Sequence, residues 1–321
     1  MTLTRREWLT RLGGTAALTA AAGTAGLLLK DRARRSRSAS ETLKSFQVEV
    51  SAALPELAVA RGGDAVQNTR AALEALGGMG AFVSKGDRVM LKPNVAWKRV
   101  PSQAATTNPE LVAELCRLCL DAGASEVVVF DSPCDPGPAT FKSSGIADAV
   151  AGIRGASVVW PEKSDYVKVG FGGKLITNWA VWKELPHFDK VINAPIVKHH
   201  VQSRTTAGMK NWYGILGGDR GLLHQDMDGS IVDLAYAIRP TLTVLDAQRL
   251  LMRNGPTGGS LGDVKENRAV AAGVDVVALD AWAVGELGQK LENVGFIAKA
   301  EERGIGRADW RSLRLKEVTA G

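Results

Sequence analysis

Three lysines, Lys92, Lys198 and Lys210, are the residues of this sequence whose types and spacing most directly suggest chemistry. Lys92 and Lys198 fall at the ends of two short apolar runs, 87–95 and 190–197, that have the pattern of buried strands. Lys210 lies in a Gly/Thr-rich stretch further along the chain. Three ammonium groups that meet in a cleft would bind a phosphate, a carboxylate or another anion. Three solvated surface lysines are the alternative, and spacing alone does not decide between the two.

Neutral and acidic polar residues accompany these lysines. Asn94 and Asn211 stand close to Lys92 and Lys210 in the sequence, and their amide groups are suited to orienting an oxygen-rich ligand. Asp131 and Asp246 follow predicted strands, where catalytic carboxylates often lie, although each could equally cap the next turn. Asp131, Asp246 or Asp280 could also neutralise the lysines internally, which would leave a structural ion-pair network and no ligand.

Histidine is the second residue type that could do chemistry here. Neighbouring side chains on a strand point to opposite faces, so at most one of His199 and His200 can face a given site. His200, His224 and a carboxylate such as Asp246 could form a two-histidine, one-carboxylate site for a divalent metal. Nearby lysines would oppose a cation, and a general acid–base, hydrogen-bonding or structural role for His200 is the alternative.

The three cysteines carry little functional signal. Cys116 and Cys119 are three residues apart within a predicted helix, among leucines, where cysteine behaves as a small hydrophobic residue. Cys134 follows Asp131 in a Pro/Gly-rich loop, which makes it a candidate reactive thiol. Three cysteines do not form a disulfide framework, so the fold must depend on its core.

The charge distribution excludes one class of function. The chain has 40 Lys+Arg and 34 Asp+Glu, a formal net charge of +6. Its first 40 residues hold eight of the basic and two of the acidic residues, so the other 281 carry 32 of each. A body of zero net charge has no global field that would attract nucleic acid. No interior run is long and apolar enough for a polytopic membrane protein.

The N-terminal segment has the pattern of an export signal. Arg5 and Arg6 precede a weakly apolar run, 12–29, which is typical of the twin-arginine (Tat) route. A frayed helix with a chance arginine pair is the alternative. We interpret residues 1–45 as a Tat signal followed by a basic, disordered tether. This interpretation predicts the Tat translocase as a partner, a periplasmic or other extracytoplasmic location, and membrane contact only through this segment if it is not cleaved.

The body of the chain alternates predicted strands with predicted helices. This order is typical of an α/β fold with a mostly parallel sheet flanked by helices, a Rossmann-like layered architecture. We predict one domain over residues 46–321, with a small β-hairpin insertion near 161–186. Ligands bind outside the carboxyl ends of strands in such sheets, where the polar residues above are expected to gather. The predicted strands and helices lie at 63–76, 87–95, 109–121, 126–130, 158–160, 190–197, 242–245 and 274–279.

An ordered set of motifs resembles a known family. The set is Lys92-Pro93-Asn94, Thr107, Asp131-Ser132, Lys198-x-His200, Thr206, Lys210-Asn211, Gly214, His224, Arg239-Pro240, Asp246, Asn254-Gly255-Pro256 and Asp280. In this order it is similar to the bacterial and archaeal family called domain of unknown function 362, over residues 64–307. The resemblance implies the α/β fold and adds Thr206 to the site, but it implies no settled reaction. Many relatives carry a module for two four-iron clusters, whose eight cysteines this chain lacks, so no iron–sulfur cluster is expected.

The sequence thus predicts an enzyme that acts on a small anionic substrate at a Lys/His/Asn cleft. A non-catalytic periplasmic protein that binds an anion or a cofactor is the alternative. We expect His200, Lys210 and Asp246 to be catalytic, and convergence of the three within hydrogen-bonding distance would favour the enzyme. The residues expected to bind substrate are Lys92, Asn94, Asp131, Lys198, Thr206 and Asn211. The cofactor is left open, with a divalent metal at His200 and His224 as one alternative.

Overall fold

A computed structural model describes residues 43–321, in which twelve strands and seven α-helices follow one another. The Tat signal and nearly all of the tether predicted for residues 1–45 lie outside the described residues. The elements are β1 (Leu57–Arg61), α1 (Ala65–Ala75), β2 (Arg88–Pro93), α2 (Pro109–Asp121), β3 (Glu126–Phe130), α3 (Gly137–Ser143), α4 (Ile146–Ala151), β4 (Ala156–Val159), β5 (Tyr166–Gly170), β6 (Asn178–Trp182), β7 (Lys190–Ala194), β8 (Ile196–His200), β9 (Arg204–Thr206), α5 (Met227–Ala237), β10 (Leu242–Leu251), β11 (Val264–Gly273), α6 (Val276–Glu286), α7 (Gly295–Glu302) and β12 (Leu315–Thr319).

Ten of these strands form a mixed sheet in the order β12-β1-β11-β10-β7-β2-β3-β4, with β8 pairing with β10 and β9. Six of the nine pairings in this sheet are parallel, including all of those among β7, β2, β3 and β4. Helices flank the sheet, so the predicted α/β architecture is confirmed. The remaining two strands, β5 and β6, form a separate antiparallel hairpin with Tyr166 opposite Trp182, inside the segment where an insertion was predicted.

The apolar strands and the helices against them account for the core. Val89 and Leu91 of β2 are fully buried on one face of the sheet and Met90 on the other, as a parallel strand covered on both faces requires. Helix α2 begins at Pro109, where the Asn108 side chain accepts a hydrogen bond from the Glu110 backbone N–H.

The two cysteines of α2 belong to this core, as predicted. Cys116 and Cys119 are fully buried on the face of α2 that packs against the sheet. Burial raises the pKa of the Cys116 thiol to about 12, and it raises that of Cys119 well above its ordinary value. Both groups are therefore inert thiols at neutral pH.

Helix α6 corrects one prediction of the sequence analysis. The apolar run 274–279 was predicted to be a strand, but Val276–Glu286 is helical. The Asp275 carboxylate starts the helix by accepting hydrogen bonds from the Val277 and Ala278 backbone N–H groups, both at 3.0 Å. Nine of the eleven residues are buried, and a helix that is apolar on all sides has no 3.6-residue period to distinguish it from a strand. Asp280 therefore lies within a helix, not at the end of a strand.

Four strands went unpredicted. One is the short strand β9, and the others are β1, β11 and β12, of which β1 pairs with both of the other two at one side of the sheet. Within residues 43–321, no helix is long and apolar enough to cross a membrane.

Candidate functional site

A cavity of about 370 Å³ opens beside the carboxyl ends of β2, β3 and β8. This is the edge of the sheet at which α/β proteins bind their ligands. Two short 3-10 helices, Lys210–Ile215 and Arg220–His224, complete its wall. The predicted site residues that line it are Lys92, Asn94, Asp131, Lys198, His200, Thr206, Lys210, Asn211 and His224. The predicted site residues are thus nine of the eighteen that line the cavity.

Asp246 is not among the residues that line the cavity. Its carboxylate accepts hydrogen bonds from the Asn108 backbone N–H at 2.7 Å and the Gln248 backbone N–H at 3.0 Å. These bonds tie the carboxylate to the backbone at the start of α2 and to the backbone of its own strand. Burial raises the pKa of Asp246 to about 6. The structure thus brings His200 and Lys210 to one cavity and leaves Asp246, the third residue expected to be catalytic, outside it.

Lys92 has no N–H left for a ligand. Its ammonium donates to Asp131 Oδ1 at 2.8 Å, to the Pro93 carbonyl at 2.7 Å and to Asn211 Oδ1 at 3.3 Å. Both members of the Lys92–Asp131 ion pair are buried. Burial lowers the pKa of Lys92, while Asp131 opposes that shift. The two charges therefore neutralise each other in the cavity wall. This matches the alternative of a structural ion pair that the sequence analysis considered for Lys92.

The two asparagines connect the lysines. Asn211 Oδ1 accepts from Lys92 and from Asn94 Nδ2 at 3.1 Å, while its own Nδ2 donates to Asn193 Oδ1 at 2.8 Å. Asn94 Oδ1 accepts from Lys198 Nζ at 3.0 Å. Both amides were expected to orient the ligand directly. Their partners are protein atoms instead, so they fix the positions of the lysines.

Lys198 keeps one N–H that no described residue accepts. Its ammonium is fully buried on β8 and donates to Asn94 Oδ1 at 3.0 Å and to the Ala105 carbonyl at 2.6 Å. Neither partner is charged, and no carboxylate in the described residues forms an ion pair with it. Burial, followed by the positive charge of Lys210, lowers the pKa of Lys198 to about 7.

Lys210 has no hydrogen-bond acceptor and no carboxylate partner among the described residues. Its Nζ lies 4.3 Å from the centre of the Tyr213 ring, a cation–π contact, and the residue is 8% exposed. Burial lowers the pKa of Lys210 to about 8. All three of its N–H groups are available to whatever enters the cavity.

Thr206 supplies a further unused polar group. It lies directly opposite Lys198 in the antiparallel pairing of β8 with β9, and side chains so paired share one face. The residue is 3% exposed, lines the cavity, and its hydroxyl has no hydrogen-bond partner in the described part of the chain. Buried hydroxyls without a partner are rare in folded proteins, and this one is available to a ligand in the cavity.

His200 and His224 present opposite ring chemistry to the cavity. His200 Nδ1 accepts from the backbone N–H groups of Gln202 at 3.1 Å and Ser203 at 3.2 Å. The neutral ring must then carry its proton on Nε2, and burial with the charges of Lys210 and Lys198 lowers the pKa of His200 to about 2. His224 Nδ1 lies 3.1 Å from the Arg220 carbonyl, which only accepts, so its Nε2 holds a lone pair.

This arrangement suits the pair poorly to a metal ion. His200 offers an N–H instead of a lone pair, and the cations around it repel another cation. Residues 43–321 contain no group of three or more His, Cys, Asp or Glu side chains placed to hold a metal.

His199 points to the other face of β8, as alternation requires, where its Nδ1 accepts from the Gly255 N–H at 3.2 Å.

Sequence reasoning missed Arg220, and it considered Asp280 only as a possible counter-charge for the lysines and as a member of the family motif set. The Arg220 guanidinium donates to the carbonyls of Ser132 at 2.8 Å and Pro133 at 3.3 Å and lies 3.8 Å from the Cys134 sulfur. Asp280 accepts from the backbone N–H groups of Gly208 at 2.6 Å and Met209 at 3.0 Å, just before Lys210. A lone arginine and an aspartate inside an apolar run carry no local pattern that would have indicated either role.

Fold and site together define an α/β protein with a cation-lined cavity at the carboxyl ends of its strands. The chain belongs to the family described as domain of unknown function (DUF362), whose model matches residues 89–285. The predicted resemblance is thereby confirmed. The thylakoid-associated protein sll1697 of Synechocystis sp. is 34% identical over 233 residues, which cover 68% of either chain.

The fold can also be compared with a solved structure. The lactate racemase apoprotein from Thermoanaerobacterium thermosaccharolyticum matches with a TM-score of 0.38 and 12% identity. The match covers 72% of this chain and 58% of that one, so this chain spans less than two thirds of its length.

Proposed function

We propose that the cavity binds a small organic anion and that the protein is an enzyme acting on it. The observation that carries this proposal is the state of Lys210, a buried ammonium with no acceptor and no counter-ion among the described residues. Burying a charge without a partner is costly, so such a group is retained where something else supplies the opposite charge. A bound anion in the same cavity would do so.

The charge count of the cavity wall supports an anion over a neutral ligand. Asp131 neutralises Lys92, whereas Lys198 and Lys210 have no ion-pair partner in residues 43–321. Arg220 adds a third cation whose described partners are carbonyl oxygens and a sulfur. A carboxylate or phosphate would receive hydrogen bonds from Lys210, from the remaining N–H of Lys198 and from Thr206, and it would raise the lowered pKa values of both lysines.

Catalysis is favoured over binding alone by the two histidine tautomers. His200 can donate a hydrogen bond through Nε2–H, and the neutral form of His224 can accept a proton through Nε2, so one cavity holds a hydrogen-bond donor and a base. Recognition of an anion needs donors but not a neutral base. General base catalysis needs such a base. We assign His224 as the base and His200 as a donor that orients or polarises the substrate.

Thermal unfolding with added anions tests the binding half of this proposal, with sodium propionate and sodium phosphate as probes against chloride at equal ionic strength. A ligand that binds the native state raises the unfolding temperature. Lys210→Met should abolish that rise. Thr206→Val should weaken anion binding at least about tenfold, since a hydrogen bond to a charged group contributes about 1.5–3 kcal/mol.

Lys168→Met is the matched control, because Lys168 is an exposed lysine of the β5–β6 hairpin, away from the cavity. This variant should keep the full response to both anions. Equal stabilisation of the wild type and Lys210→Met by propionate and phosphate would refute the assignment of the cavity as the anion site.

A further inference from the structure

Lys210 differs chemically from the other two lysines of the cavity. Lys92 gives all three of its N–H groups to protein acceptors, and Lys198 gives two. No described residue accepts from Lys210, which touches only the face of the Tyr213 ring. The nitrogens of Lys92 and Lys198 are thus held in place by protein acceptors, while the nitrogen of Lys210 is free to react with a ligand.

The surroundings of Lys210 give it a larger fraction of neutral amine at neutral pH than an exposed lysine has. The side chain is buried and shares the cavity with two further cations, Lys198 and Arg220, and no carboxylate in the described residues pairs with it. Burial is the largest cause of its lowered pKa, which Cys134 opposes and Arg220 reinforces. A lysine that is desolvated and close to another cation is the type that proteins use as a nucleophile.

We propose that Lys210 forms an imine with a small anion that carries an aldehyde or ketone group. This inference rests on the proposed anion site and adds the chemical class of its ligand. Lys198 and the Thr206 hydroxyl would hold the charged end, which leaves the amine of Lys210 for the carbonyl carbon. A cavity of about 370 Å³ accommodates an oxo acid of a few carbons with space for water.

The step is balanced without an external oxidant or reductant. The lone pair of the neutral Lys210 nitrogen attacks the carbonyl carbon, a C–N bond forms, and the carbonyl π electrons pass to oxygen, which takes up one of the two protons of that nitrogen. The carbinolamine hydroxyl then takes up a second proton, its C–O bond breaks to release water, and the nitrogen gives up its remaining proton to give the imine, so both amine protons leave in the water. His224 and Lys210 line the same cavity and both contact Tyr213, and we assign the Nε2 of His224 to carry protons between nitrogen and oxygen in this sequence.

Trapping with borohydride tests the inference on the whole chain. Pyruvate, glyoxylate and glyceraldehyde 3-phosphate are each incubated with the protein, reduced, and followed by intact mass and peptide mapping. The first two distinguish a carboxylate source of the charge from the phosphate of the third. We expect one reduced adduct per chain, on the peptide that contains Lys210, with at least one of them. Acetaldehyde, which has the carbonyl but no charge, should give no selective labelling of that peptide.

Lys210→Arg separates the two proposals, because arginine keeps the positive charge but is not a nucleophile at neutral pH. This variant should lose the adduct and retain stabilisation by propionate. A wild-type protein that propionate stabilises but that gives no adduct with any of the three carbonyl anions would overturn the imine and leave the anion site standing. Adducts spread evenly over exposed lysines would overturn it as well. Absence of any response to propionate and phosphate would instead refute the anion site.

Discussion

Buried lysines in this protein are distinguished by how many of their three N–H groups protein atoms already accept. Lys92 donates three hydrogen bonds, Lys198 two and Lys210 none to the described residues. This ordering runs from a structural ion pair to a group that only a ligand can satisfy. Residue type alone made the three lysines look equivalent, because four of the five acceptors that Lys92 and Lys198 use lie more than 30 positions away in the sequence.

Gly214 permits the close packing that this structural ion pair requires. A Cβ at this position would overlap Asp131 Oδ1 and approach Lys92 Nζ to 2.5 Å. We expect Gly214→Ala to separate the buried pair and to lower the free energy of unfolding by roughly 3–5 kcal/mol, the usual cost of breaking such a pair. Denaturant unfolding monitored by circular dichroism measures this change.

Gly285→Ala provides the matched control for that substitution. Gly285 lies near the end of α6, and a Cβ there would meet no atom within 4 Å. Alanine is the better helix former, so this variant should gain up to about 1 kcal/mol. A Gly214→Ala protein as stable as the Gly285→Ala protein would show that the ion pair tolerates displacement.

Among the secondary-structure elements, the contact between α6 and the segment that carries Lys210 matters most to the site. The Asp280 carboxylate, buried in the middle of α6, accepts the N–H groups of Gly208 and Met209 and so fixes the backbone immediately before Lys210. Burial raises the pKa of Asp280 to about 7, although both hydrogen bonds oppose that shift. We assign Asp280 as a positioning residue for Lys210.

Asp280→Asn tests this role. An asparagine keeps one acceptor oxygen but places an NH₂ group against a backbone N–H, so we expect a loss of about 1–3 kcal/mol in stability. Affinity for propionate should also fall, because Lys210 would no longer be held in the cavity. Isothermal titration calorimetry and denaturant unfolding measure the two effects separately.

Asp275→Asn is the control at the start of the same helix. The Asp275 carboxylate accepts backbone N–H groups of Val277, Ala278 and Arg307, away from the cavity. This variant should lose comparable stability and keep its affinity for propionate. If both variants bind propionate equally well, α6 does not position the site.

Sequence pattern predicted the elements whose periodicity is simple and the residues that end them. The strands β2 and β3 and helix α2 carry strong local signals, so the carboxyl-end position of Lys92 and Asp131 followed from them. Helix α6 was predicted as a strand because its run is apolar on every face. Asp246 was expected in the cavity because strand ends carry catalytic carboxylates, but the N–H groups of Asn108 and Gln248 occupy it instead. Such competition for a side chain is long-range and leaves no local pattern.

Across the whole molecule, buried ionisable groups give the stability of the ligand-free protein an unusual dependence on pH. Asp246 and Asp280 have folded-state pKa values of about 6 and about 7, above the ordinary 3.8. Their contribution to the free energy of unfolding therefore declines as the pH rises from the ordinary pKa to these folded-state values. Lys198 and Lys210 have folded-state pKa values of about 7 and about 8, below the ordinary 10.5. The folded state then binds fewer protons than the unfolded state, so their contribution to stability increases with pH above 7.

The measurable consequence is that the ligand-free protein should become more stable from pH 7 to pH 9. Each lysine contributes at most about 1.4 kcal/mol per pH unit in this interval. As the pH approaches 9, the raised pKa values of Cys116, Cys119 and Cys134 act in the opposite direction, which sets the upper limit of the window. Lys210→Met should show a shallower rise. Saturating propionate should flatten the rise in the wild type, since a bound anion keeps both lysines protonated in the folded state. Urea unfolding across this pH range measures the pH dependence of stability for the free wild type, the Lys210→Met variant and the propionate complex. Equal slopes for all three would mean that the two lysines are not the desolvated cations on which the anion site depends.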